Sequence, residues 1–182
     1  IIEELARPEV HASADPGASA IGSLNGVSSR ISGLVEQVSN SGPVLGNEIE
    51  LFSNTDLILR GLESDIEAAR EHCHFMFFIW LDDAAGVRIG EALISAASRG
   101  VQCRVLVDAV GSKAFLRSAL CRKMRDGGVQ VVDALPANAI RALFSRLDLR
   151  NHRKIVVIDR ELAWTGSQTL AEASFAPKPE FA

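Results

Sequence analysis

Gly100-Val101-Gln102-Cys103-Arg104-Val105-Leu106-Val107-Asp108 decides the fold. Val101, Cys103, Val105 and Val107 alternate inward along a strand that stops at Asp108, the period of a strand with one face in a core, and Gly100 ends the helix that precedes it. Upstream, Val87 to Arg99 reads as a helix. Before it, Phe75 to Leu81 is an apolar run of strand length, with Asp82 and Asp83 as turn or capping residues ahead of Gly86. Further back, Thr55 is placed to cap a helix whose Leu59, Leu62, Ile66 and Ala69 form one stripe, and Glu48 to Phe52 reads as a short strand. Downstream, Ser112 is placed to cap a helix running to Asp126. Gly127-Gly128 ends that helix before a strand at Val129 to Val132. Strands alternating with helices of this length define an α/β layer fold whose sheet is mixed and largely parallel.

The last third leaves this rhythm. Ala139 to Leu147 reads as helical, and Asn151 to Ile158 and Leu162 to Thr165 read as two strands joined at Asp159-Arg160-Glu161, hence a hairpin. At the other end, Ser, Gly, Ala and Asn dominate from Ala12 to Gly46, giving residues 1–46 the texture of a linker or loosely ordered arm, with 47–182 as the folded domain. Val27, Ile31, Leu34 and Val38 recur at helical spacing inside that arm. With only Arg30 on its other face, this helix is expected to pack on its own domain rather than on a membrane.

Composition narrows the function classes. The 182 residues are 47% hydrophobic and 23% charged, enough to bury a core. Cys73, Cys103 and Cys121 lie far apart with no C-x-x-C spacing, so they read as reduced core thiols rather than a zinc ribbon or a disulfide framework. His72 and His74 flank Cys73 but lack further ligands nearby; His72 reads as a helix-end residue and His74 as buried. The longest apolar run, Phe75 to Leu81, is far below the ~18 residues of a spanning helix. Net charge is −4, with the first 72 residues strongly acidic and the remainder basic. Arg141, Arg146, Arg150, Arg153 and Lys154 crowd together with only Asp148 opposing them, a stretch that reads either as a solvated positive face or as suited to phosphates or anionic headgroups. The chain has no tyrosine, so it offers no stacking stripe for single-stranded nucleic acid, and nucleic acid is not an expected partner.

Chemistry concentrates in Asn151-His152-Arg153-Lys154-Ile155-Val156-Val157-Ile158-Asp159 and Trp164-Thr165-Gly166-Ser167-Gln168-Thr169. On a regular strand, residues two apart share a face at ~7 Å, so His152 and Lys154 are expected to project together. Imidazole is a competent nucleophile toward phosphorus, and an ammonium beside it stabilises charge on the non-bridging oxygens. Asp159 has the opposite parity and is expected to hold the hairpin turn or a neighbouring cation. Gly166 permits close backbone approach, and Ser167 offers a hydroxyl or N–H to an anion or a catalytic side chain. Asp108, at the carboxyl end of its strand, is placed either for a site role or to cap the Gly111-Ser112 turn.

The spacing H-x-K-x4-D-x6-G-S resembles the signature of the phospholipase D superfamily, and Leu147-Asp148-Leu149-Arg150-Asn151-His152-Arg153-Lys154 is similar to its bacterial cardiolipin synthase branch. The similarity extends upstream through Phe78-Ile79-Trp80 and Val110-Gly111-Ser112. This resemblance implies a phospholipase D-like α/β/α sandwich half, and transfer of a phosphatidyl group from one phosphatidylglycerol to another with release of glycerol. It further implies a phosphohistidine on His152, with Lys154 as phosphate clamp, Asp159 as supporting carboxylate, Ser167 as orienting partner, and no metal or cofactor. Gly166, Arg150 and Thr169 complete the implied phosphate-binding or orienting set. Thr169 stands where the family usually has Asn and lacks the carboxamide's simultaneous donor and acceptor.

The family's site takes two such motifs, and one is present here. The implied partners are therefore an anionic phospholipid, a membrane surface and a second motif-bearing domain, in a longer chain or by dimerisation. With Ile1 first and Ala182 last, the chain is expected to be an inactive piece of a longer protein of the bacterial inner membrane. Two other functions fit the same residues: a homodimeric phosphodiesterase or nuclease with a single motif per copy, and a non-catalytic module for phosphate or anionic lipid.

Overall fold

The computed structural model describes residues 26–40, 47–134 and 150–175. The chain divides into two units, Ile1–Leu51 and Phe52–Ala182. In the first, helix α1 (Gly26–Ser39) forms where the spacing of Val27, Ile31, Leu34 and Val38 places it. None of the helix's residues is buried, and Val38 is 82% exposed.

The second unit runs α2 (Thr55–Ala68), β1 (His72–Phe77), α3 (Ala84–Ser98), β2 (Gln102–Asp108), α4 (Lys113–Leu116), α5 (Ala119–Asp126), β3 (Gln130–Ala134), β4 (Ile155–Ile158) and β5 (Leu162–Thr165). Its sheet has the order β3-β2-β1-β4-β5. β1 pairs parallel with β2, and β2 with β3, while β4 is antiparallel to both β1 and β5. Four of the five strands therefore point one way, the mixed, largely parallel sheet that the sequence implies.

Paired residues share a sheet face, so the register sorts the side chains. Cys73, Phe75, Phe77, Cys103, Val105, Val107, Val131, Val156 and Ile158 turn toward Leu59, Leu62 and Ile66 of α2, Ile89 and Leu93 of α3, and Leu120 and Met124 of α5. Emptying a site such as Leu93, which is fully buried, costs about 2–5 kcal/mol. All three cysteines are free and buried in this core. Gly100 ends α3 with φ 93, a conformation that side chains resist.

Several sequence expectations shift. Glu48 to Phe52 joins no strand; its alternating Ile49 and Leu51 are exposed. The α2 cap is Asn54, whose side chain accepts from the Asp56 and Leu57 N–H groups, one residue before the expected Thr55. β1 starts at His72 and ends at Phe77, so His72 is a buried strand residue with its ring 4.5 Å from that of half-buried His74. The single helix expected from Ser112 to Asp126 is two, because Ser118 caps α5 through the Cys121 N–H. Ser112 makes no capping bond and is used elsewhere. Asp83 caps α3 as expected, accepting from the Gly86 N–H. The expected helix at Ala139 to Leu147 and the cations Arg141 and Arg146 lie outside the described residues. Among the described residues, no helix is long and apolar enough to cross a membrane.

Candidate active site

The direction of β4 decides where each motif residue stands. β1, β2, β3 and β5 finish at one edge of the sheet, and β4 starts there, since Ile155 pairs with both Met76 and Thr165. Arg150 to Lys154 lead into β4 at this carboxyl edge, and Gly166-Ser167 leave β5 at the same edge. In α/β sheets, ligands bind outside the carboxyl ends of parallel strands.

The pleat expected to project His152 and Lys154 together begins only at Ile155. Ahead of it, the Asn151 side-chain oxygen accepts the Arg153 N–H at 3.1 Å, an Asx-type bond that spans His152. The exposed His152 ring lies against Phe78, with centroids 4.0 Å apart. Lys154 is half-buried and has no acidic partner among the described residues. Gly166 and Ser167 are exposed, and a Cβ at Gly166 would meet nothing within 4 Å.

Asp159 is at the opposite edge. Cys73 pairs with Ile158, and the Asp159 N–H donates to the His72 carbonyl at 3.0 Å, so the four residues of β4 separate it from Lys154. Its carboxylate accepts the N–H groups of Arg70, Glu71 and His72 at 2.8, 2.9 and 2.8 Å. These bonds, the one from His72 foremost, hold its carboxyl below the ordinary aspartate range despite some desolvation. Asp159 and Arg160 both have positive φ, 51 and 61, so the hairpin turns tightly where the sequence places it.

Arg150 does not present its charge to solvent. Its Nη1 donates to Asp108 Oδ2 at 2.6 Å, with side-chain exposures of only 8% and 4%. Asp108 thus does hold the Gly111 turn, accepting the Val110 and Gly111 N–H groups, and binds a cation as well. Thr169 is half-buried, and its carbonyl accepts from Gln168 Nε2 at 2.8 Å.

Sequence reasoning missed Gln168 and Phe78. Gln168 also accepts from the Thr55 hydroxyl and, with the Leu170 carbonyl accepting the Leu81 N–H, fastens the segment after Ser167 to the domain. An apolar Phe78 directly after a strand gave no signal of its contact with a histidine 74 positions later.

Residues 62–182 match the family model described as "Cardiolipin synthase, PLD-like domain". Cardiolipin synthase A of Yersinia pseudotuberculosis serotype O:1b (strain IP 31758) is 42% identical over 149 residues, 82% of this chain and 31% of that protein. Cardiolipin synthase A of Yersinia pestis gives the same figures. The chain thus spans about a third of the length of these curated relatives. Among solved structures, Nuc from Salmonella typhimurium, described as a phospholipase D family member, aligns with a TM-score of 0.47 at 20% identity, covering 63% of this chain and 66% of that one. NucT from Helicobacter pylori aligns with a TM-score of 0.45 at 17% identity, covering 68% and 73%.

Proposed function

Since this chain belongs to the cardiolipin synthase, PLD-like domain family, we propose that it carries the nucleophile-bearing half of a phosphatidyltransferase active site. One observation carries the reading. His152, Lys154 and Gly166-Ser167 gather at the carboxyl edge, while the motif's carboxylate is spent on backbone N–H groups at the other.

An imidazole nitrogen of His152 attacks the phosphorus of phosphatidylglycerol. The N–P bond forms as the P–O bond to glycerol breaks, and the leaving alkoxide takes a proton from a general acid. The hydroxyl of a second phosphatidylglycerol then attacks phosphorus, gives its proton to the same group, and displaces His152 to yield cardiolipin. Two displacements of this kind suit a ping-pong route at one site. Lys154 steadies the charge on the non-bridging oxygens, and Ser167 orients the substrate or the imidazole. The acid and base come from a second motif, in the same protein or in a second copy. The substrate brings the reaction to a membrane surface.

The test uses the protein carrying this chain, with vesicles of phosphatidylglycerol. Cardiolipin and glycerol are expected in equal amounts, and neither from His152→Ala. Cardiolipin formation by a folded His152→Ala variant overturns the proposal.

A further inference from the structure

The transfer chemistry leaves one element at this edge unused, the buried ion pair of Asp108 and Arg150. Taking two charges out of water is costly, so such a pair is poorly explained as a source of stability alone. Its connections converge on one side chain from two directions. Along the chain, Arg150 stands two residues before His152, and the Asn151 side chain between them accepts the Arg153 N–H. Through space, the Asp108 carboxylate holds the Val110 and Gly111 N–H groups, each at 2.8 Å. The same turn delivers Ser112, fully buried, whose hydroxyl donates to the Phe78 carbonyl and accepts the Trp80 N–H, both at 3.0 Å. Gly111 packs so closely there that a Cβ would stand 2.4 Å from the Phe78 carbonyl oxygen. Phe78 in turn carries the ring against which the His152 imidazole lies.

We propose that the buried Asp108–Arg150 pair is a positioning device for His152, fixing the chain that bears the imidazole and the Phe78 ring that supports it. Asp108 and Arg150 are positioning residues and touch no reacting atom. The catalytic consequence rests on His152 being the nucleophile; the geometric claim does not. It also separates two roles for Arg150. A guanidinium that binds phosphate governs substrate affinity, whereas one that positions the nucleophile governs the rate of the bound complex.

The protein carrying this chain is prepared with ring-labelled histidine as wild type, Asp108→Asn, Arg150→Met, Arg150→Lys, Phe78→Leu and the double variant Asp108→Asn/Arg150→Met. His152 resonances are identified by their loss in His152→Ala. They are expected to be displaced by the Phe78 ring current in wild type and to move toward those of an exposed histidine in both single variants and in Phe78→Leu. Arg150→Lys is expected to restore them in part. With phosphatidylglycerol vesicles, kcat is expected to fall about 10- to 100-fold in Asp108→Asn at a KM within about twofold of wild type. The double variant is expected to fall no further, because both residues act on one device. If a single variant, left with an unpaired buried charge, fails to fold, the double variant and Phe78→Leu carry the test. Unmoved His152 resonances in the folded variants overturn the proposal. So does a raised KM at constant kcat in Arg150→Met, which makes Arg150 a substrate ligand. A wild type without His152-dependent turnover contradicts the proposed function, while the resonances still decide the positioning claim.

Discussion

The two ends of β4 are built on opposite plans. At the Asp159 end, one carboxylate accepts three backbone N–H groups, its own N–H is bonded to His72, and the chain turns through two residues of positive φ. At the His152 end, the key side chains are exposed or half-buried, make few bonds of their own, and stand on buried supports. The difference teaches how one short motif divides its labour. Five residues beyond Lys154, the strand has carried the chain to the other edge of the sheet, so a carboxylate read as one unit with His152 and Lys154 braces the strand they lead into.

The largest expected effect breaks the comparison at the chemical end. His152→Ala is expected to lower turnover by about 10³-fold or more while leaving the thermal midpoint unchanged, since the exposed ring contributes little burial. Kinetics on phosphatidylglycerol vesicles and a melting curve of the same preparation check both halves.

Next comes the structural end. Asp159→Ala strands three N–H groups and leaves a β-carbon at φ 51, and is expected to cost about 3 kcal/mol in denaturant unfolding. Asp159→Asn is expected to cost less, because Asn tolerates that backbone and keeps an acceptor oxygen. The lowered carboxyl value fixes the sign of the pH dependence. A carboxylate held below its unfolded value stabilises the fold fully above the ordinary aspartate range near ~4, and that contribution is lost as pH falls through the folded value. Unfolding followed from pH 7 into acid is therefore expected to show a shallower loss for Asp159→Asn than for wild type.

The smallest effect sharpens the comparison. Arg160 occupies φ 61 and pairs with Glu71 at 2.7 Å, but both side chains are more than half exposed, so the pair itself is worth at most about 0.5 kcal/mol. Arg160→Gly relieves the left-handed backbone and is expected to raise stability by up to about 1 kcal/mol with turnover unchanged. A loss of turnover there would show that the two ends are coupled.

Elements whose signal is local were legible in the sequence. β2 alternates cleanly, Gly100 and Gly127-Gly128 stop their helices, and Asp159-Arg160-Glu161 marks the hairpin. Errors arose where neighbours compete for one role, as Asn54 and Thr55 do at the α2 cap, or where Ser118 restarts a helix within a run that reads as continuous. Ile49 and Leu51 alternate like a strand but have no sheet neighbour, which only pairing can reveal.

At the candidate site, residue types and spacing identified His152, Lys154 and Ser167 as chemically apt, and parity set Asp159 apart. The partners were not legible because they lie far away in sequence. Asp159 bonds residues 87 to 89 positions earlier, and Arg150 meets Asp108 across 42. Within its basic run, Arg150 looked like a solvated cation or a phosphate ligand.

The division of labour along β4 is tested most directly by locating the covalent intermediate. The protein carrying this chain is mixed with phosphatidylglycerol labelled in its phosphate, quenched in alkali to preserve an N–P bond, and mapped by mass spectrometry in wild type, His152→Ala and Asp159→Asn. The account predicts label on the peptide containing His152, none in His152→Ala, and label retained in Asp159→Asn at temperatures where it is folded. Label on another residue, or its absence from folded Asp159→Asn, would contradict it.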